Sequence, residues 1–89
     1  MMDKEFDKIW ERIKKHEGET FFTITGLEFK YETHENSFYS SRAKYHISKK
    51  DFLKAYNMFP LRGPGEISKI VRGPSYVWSV LNDKRISRG

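Results

Sequence analysis

Residues 20–33 read TFFTITGLEFKYET, and this stretch decides the fold class. Its hydrophobic period is two. Phe, Thr and Ile crowd residues 20–25, Gly26 interrupts them, and from Leu27 onward the alternation is clean. Leu27, Phe29 and Tyr31 fall on one side, with Glu28, Lys30 and Glu32 on the other. β-branched and aromatic residues broken by a glycine predict a hairpin turning near Gly26. The polar THEN at 33–36 predicts a second turn, with Asn36 in a left-handed position. A third strand is expected over 37–41, and 43–47 extends the alternation with Ala43, Tyr45 and Ile47 on one side.

Outward from this sheet the period changes. Residues 3–16 place Phe6, Ile9, Trp10 and Ile13 at i, i+3, i+4 and i+7, the stripe of an amphipathic helix. Asp3 is expected to cap its start, and Gly18 to follow its end. That stripe is expected to lie on one face of the sheet, because a lone antiparallel sheet cannot bury both sides. Beyond the strands, Ser48 is a good N-cap and Asp51 stands at the third helical position. Phe52, Ala55, Tyr56 and Phe59 then repeat at helical spacing until Pro60 stops them.

Residues 59–81, FPLRGPGEISKIVRGPSYVWSVL, predict two short helices joined by a tight turn. Pro64 suits a helix start, with Ile67, Ile70 and Val71 inward over 66–71. Arg72-Gly73-Pro74 breaks that helix, and Ser75 caps the next. Ile67, Val71, Trp78 and Leu81 follow the apolar offsets of a helix-turn-helix pair, while Gly73 stands one position late and Arg72 takes the usual turn position. On that reading Ser75, Tyr76, Ser79, Val80 and Asp83 face outward from the second helix. The expected architecture is α+β: an N-terminal helix, a three-stranded antiparallel meander, then three short helices. It forms one domain over 1–89, with 84–89 as a frayed basic tail.

A chain of 89 residues builds a modest core, and 16% aromatic content suits it, since each buried ring removes roughly 150–250 Å² from water. The absence of cysteine excludes disulfides, thiolate metal sites and thiol catalysis. No run nears the ~20 apolar residues that span a bilayer, and MMDKEFDK is charged rather than signal-like, so a soluble cytoplasmic protein without membrane contact is expected. Net charge is +5, unevenly distributed: residues 1–41 carry a balance of −3 and residues 42–89 one of +8. Such a chain orients itself in the field of a polyanion.

The cations around the helical pair are Arg62, Lys69, Arg72, Lys84, Arg85 and Arg88, and a second set, Arg42, Lys44, Lys49 and Lys50, lies upstream. Nothing outward on the second helix suits bidentate base contacts, for which Arg, Asn and Gln serve best. Phosphate contact is better supplied, with the Ser75 helix start offering backbone N–H groups. The expectation is a small basic module binding nucleic acid, DNA first, through backbone charge. Its contacts are Arg42, Lys44, Arg62, Lys69, Arg72, Ser75, Tyr76, Lys84 and Arg85. Tyr39 and Tyr45, interleaved with cations, offer surfaces on which bases stack. The alternative is a protein-interaction or accessory domain without nucleic-acid contact, with a homodimer through the Trp10 helix as its sign.

Enzymatic readings find little support. His16, His34 and His46 are scattered, with no i,i+4 pair, and no nucleophile elbow or phosphate loop occurs. Glu28-Phe29-Lys30 is half of a metal-dependent nuclease signature, but residues 20–27 hold no carboxylate to complete it. No enzyme activity, metal or cofactor is expected. The segments TFFTITGLEFKYE, SSRAKYHISKKDFLKAY and RGPSYVWSVLNDKRI resemble small bacterial or phage proteins. An Arg-centred strand, an I-S-x-x-D-F helix start and a late S-Y-V helix are similar to accessory modules of restriction-type systems. That resemblance implies that Arg42, Ser75 and Tyr76 face a nucleic acid and brings no catalytic activity with it.

Overall fold

The computed structural model describes residues 4–88; the expected Asp3 cap lies outside them. Helix α1 spans Lys4–Lys15 and buries Phe6, Ile9, Trp10 and Ile13, the stripe expected from the spacing. Gly18 follows at φ 84°, and its N–H donates to the Tyr31 carbonyl at 2.8 Å. The chain then forms five short strands in two antiparallel sheets.

Strands β1 (Phe21–Phe22) and β2 (Glu28–Phe29) pair as a hairpin, Phe21 opposite Phe29 and Phe22 opposite Glu28. Gly26 takes φ 88° in the turn. Thr23 closes that turn, its N–H on the Leu27 carbonyl at 2.9 Å and its Oγ1 accepting from the Leu27 N–H at 3.0 Å. Leu27 therefore belongs to the turn and is exposed, unlike Phe29 and Tyr31, which are buried. Strands β3 (Tyr31–His34), β4 (Ser37–Ser40) and β5 (His46–Ser48) form a three-stranded meander in that order. The segment expected as its first strand, residues 20–25, instead pairs as β1 with β2 in the separate two-stranded sheet. In the β3–β4 turn it is Glu35, not Asn36, that adopts a positive φ of 55°. The Asn36 carbonyl is held by the Lys49 N–H at 2.8 Å, which fixes its peptide toward α2.

Helix α2 (Lys49–Tyr56) starts as expected, with the Asp51 N–H donating to Ser48 Oγ. Asp51 does not turn back to complete a capping box; its carboxylate accepts the Arg72 N–H at 3.1 Å instead. The helix expected over 66–71 is one turn of 3₁₀ helix, Pro64–Ile67. The carbonyl of Gly65 receives both the N–H and the hydroxyl of Ser68, and this local bonding competes with an i→i+4 ladder. Ile67 and Val71 are buried while Ile70 is exposed. Helix α3 (Pro74–Asn82) begins at Gly73 rather than at Ser75. Gly73 has φ 60°, and a Cβ there would lie 2.6 Å from Ile47 Cδ1, so both backbone and space require glycine. Residues 84–87, expected as a frayed tail, form one more helical turn, α4 (Lys84–Ser87). It is held by the buried Ile86 and by Asp83, whose carboxylate accepts the Arg85 N–H.

The core is threaded by aromatic rings. Trp10 meets Phe52 (5.6 Å between centroids), Phe52 meets Phe38 (4.9 Å), and Phe38 stacks on Tyr31 (4.6 Å). Tyr31 meets Phe21 (5.2 Å), Phe21 meets Phe29 (6.0 Å), and Phe29 meets Tyr76 (5.1 Å). Each such pair adds about 0.5–1.5 kcal/mol beyond its buried area. This chain of rings joins α1, α2, both sheets and α3. Tyr31 Oη also donates to the Ile13 carbonyl at 2.6 Å, satisfying an orphan acceptor at the end of α1. Burial pushes that phenol's pKa up.

Candidate functional site

Helix α3 does not present a recognition face. Val77, Val80, Leu81 and Ser79 are buried, and within Pro74–Asn82 only Asn82 is exposed. Val77, Trp78, Val80 and Leu81 form one broad apolar side. On the opposite side, which carries Ser75, Ser79 and Asn82, Ser79 is buried as well, so α3 is a core helix. Of the residues expected to face outward, Ser79 donates to the Ser75 carbonyl at 2.6 Å. Tyr76 is half-buried with its ring against Phe29, and Asp83 caps α4. The helix start is a poor anion donor as well. Pro74 has no N–H, and those of Tyr76 and Val77 both turn back to the Gly73 carbonyl, at 3.0 and 3.1 Å.

Arg85 is likewise committed inward. Nε and Nη2 donate to the two Asp83 carboxylate oxygens, Nη2 also to the Thr20 carbonyl, and Nη1 to Glu19, at 2.9–3.1 Å. The guanidinium carbon lies 3.7 Å from the centre of the Phe21 ring. The side-chain bond from Arg85 holds the Asp83 carboxyl below its ordinary range, and Arg85 is raised in turn, first by its bond to Asp83. Glu19 is lowered first by its bond to His16, an effect that burial opposes and the bond from Arg85 reinforces. Arg85 thus fastens α4 to β1 and is a structural pin. Lys84 is exposed on α4, which packs against α1 and α3.

The other five expected cations, Arg42, Lys44, Arg62, Lys69 and Arg72, are all exposed, on segments that are tied to one another. Arg42 Nε donates to the Glu28 carbonyl at 2.6 Å, linking the 41–45 turn to the β1–β2 hairpin. The Arg72 guanidinium lies 5.2 Å from the centre of the Tyr45 ring, linking the same turn to the α3 entry. Ile24, in the hairpin loop, reaches Gly63, where a Cβ would stand 3.4 Å from its Cδ1. Arg62 and Lys69 flank the 3₁₀ turn beside that contact.

Among the described residues, the ion pairs are Lys14–Glu11, His16–Glu19, His34–Glu32, Lys49–Asp7 and those of Arg85. None involves the five cations. Two nearby carboxylates, Asp51 and Glu66, accept from the backbone N–H groups of Arg72 and Arg62. Exposed charges without a counter-ion among the described residues project their field outward for about 8–10 Å at ordinary salt.

Alternation alone did not mark the exposed apolar set on the hairpin. Phe22, Ile24 and Leu27 are 58%, 53% and 51% exposed. The signal was the FF pair: strand period two sends Phe22 out once Phe21 is in. Tyr45 is 39% exposed and Tyr39 is exposed on the meander between His34 and His46. Elsewhere a cleft of about 360 Å³ opens between α1 and the C-terminal helices, floored by Ile9, Phe59 and Leu81 and edged by Lys8 and Arg12. Among the described residues no three His, Asp or Glu side chains converge as a metal ion requires, and no helix is long and apolar enough to cross a membrane. No family model, curated protein or solved structure matches the chain.

Proposed function

We propose that this chain is a small basic binding module for nucleic acid, acting by binding rather than catalysis. It grips backbone phosphates with Arg42, Lys44, Arg62, Lys69 and Arg72. One observation carries the reading: these five exposed cations lie on mutually fastened segments and have no carboxylate partner among the described residues. Polyanion binding neutralises such charge and releases counter-ions. The contact set is narrower than the sequence implied, because Arg85 serves the fold and Ser75 and Tyr76 lie along a core helix. A cytoplasmic accessory role in a bacterium or phage accords with this reading.

The test is fluorescence anisotropy with labelled DNA and RNA of roughly 20 nucleotides, single-stranded and duplex, between about 50 and 200 mM salt. Five phosphate contacts predict a fall in affinity across that range of roughly 100-fold for single strands and roughly 500-fold for duplexes. Salt-independent binding, or none at the lower salt, overturns the proposal. A second reading, a protein-interaction domain, is favoured by the exposed Phe22, Ile24 and Leu27. A dimer through α1 does not fit it, because Trp10 and its stripe are buried within the chain's own core.

A further inference from the structure

Two exposed rings border the cations of this face. Phe22 stands opposite Glu28 in the hairpin, and the Glu28 carbonyl is where Arg42 Nε is fastened at 2.6 Å. The 41–45 turn then leads from Arg42 to Tyr45, whose ring lies beneath the Arg72 guanidinium. These contacts connect two exposed rings, Phe22 and Tyr45, with two exposed cations, Arg42 and Arg72. Phe22 is more than half exposed, and burying such a ring would have stabilised a domain this small.

In duplex DNA the faces of the bases are stacked on one another, so an exposed ring meets them only where base steps are prised apart at an energetic cost. In a helix-turn-helix the second helix, here α3, would enter a major groove, and most of its residues are buried or half-buried. Unpaired bases, by contrast, present π-faces that stack on aromatic side chains while cations hold the intervening phosphates. We infer that the ligand of this face is single-stranded nucleic acid, with Phe22 and Tyr45 as base-stacking residues and Arg42 and Arg72 as their phosphate partners. The inference rests on the nucleic-acid reading above and adds to it the strand state of the ligand. The bond to the Glu28 carbonyl occupies Nε of Arg42 and leaves its terminal nitrogens available to a phosphate.

The experiment compares labelled dT and rU oligomers with a duplex, each of roughly 20 nucleotides, at about 50 mM salt. The wild-type chain is expected to bind the single strands at least several-fold more tightly than the duplex. Phe22→Ala and Tyr45→Ala should each weaken single-strand binding roughly 5- to 100-fold and leave the duplex within about twofold. Phe22→Leu, which keeps apolar bulk without a ring, should behave like Phe22→Ala, whereas Tyr45→Phe should retain affinity. Melting curves of the four variants near that of wild type ensure that the loss is not unfolding.

Equal affinity for both strand states, unmoved by these substitutions, overturns the inference and leaves charge-led binding standing. No binding to any oligomer at the lower salt overturns both. Sedimentation showing a dimer that Phe22→Ala dissolves also overturns it, assigning the ring to a second copy of the chain. Preference for rU over dT, or the reverse, with the same ring dependence upholds the inference and names the strand chemistry.

Discussion

The guanidinium of Arg72 lies 5.2 Å from the centre of the Tyr45 ring, while the N–H of the same residue is held by the Asp51 carboxylate at 3.1 Å. Backbone and side chain of Arg72 therefore have separate tasks. The amide fixes the entry to α3 against the start of α2. The cation is left on the surface, above a ring, with no carboxylate among the described residues paired to its side chain.

This division predicts the outcome of removing the side chain. Arg72→Ala keeps the amide bond to Asp51 and removes a surface cation–π interaction worth about 0.5–1 kcal/mol. Paired with Arg42→Ala, it should shift the melting temperature by only a few degrees. The same double variant should weaken oligonucleotide binding and reduce the magnitude of the log K against log salt slope by about two, one for each phosphate no longer neutralised. Melting curves and salt titrations check both halves. An unchanged slope would remove these residues from the interface.

Arg85 is expected to behave in the opposite way. Its bonds to Asp83 and the Thr20 carbonyl, together with the Phe21 ring, make Arg85→Ala destabilising by about 2 kcal/mol after allowance for solvent screening. In a domain of this size that is roughly a 10 °C loss. Oligonucleotide affinity of the folded variant should not move. The same cluster sets an acid limit. Asp83 and Glu19 have folded pKa values below their unfolded ones, so their stabilisation is present above the ordinary carboxylate range near ~4. It is lost as pH falls through the folded values. Thermal melts from neutral pH to about pH 3 should show wild type losing more stability than Arg85→Ala, with the two curves converging in acid.

Gly73 tests how α3 is seated. A methyl group there would lie 2.6 Å from Ile47 Cδ1 and 3.3 Å from Tyr45 Oη, on a backbone with φ 60°. Left-handed strain of about 1–2 kcal/mol adds to the cost of moving Ile47 in the core. Gly73→Ala should therefore lower stability by roughly 2–4 kcal/mol, measured by denaturant unfolding. A loss under about 0.5 kcal/mol would mean that β5 and α3 yield easily.

Local chemistry was legible wherever the pattern was local. The α1 stripe, the glycine at the hairpin turn and the Ser48 cap each depend on residues within a few positions, and each forms as its spacing implies. The order of helix, meander and helices follows from where the period changes between 3.6 and two. What sequence could not assign was which of several apolar elements would occupy the centre. Residues 74–82 set a wide apolar side against Ser75, Ser79 and Asn82, a pattern common to a surface helix and a largely buried one. Packing against β1, α2 and α4 decided for burial.

The same holds for the cations. Arg72 and Arg85 are equivalent in a charge count, yet one lies on a surface ring and the other inside a cage of two carboxylates, a carbonyl and Phe21. Glu19 and Thr20 stand 66 and 65 residues from Arg85, so no local pattern announces them. By itself the sequence determined the element types, the basic C-terminal half and the residues rich enough in charge to meet a polyanion. Only the tertiary structure decided which of those charges remain free, because long-range packing alone brings a cation to its counter-ion or leaves it facing water.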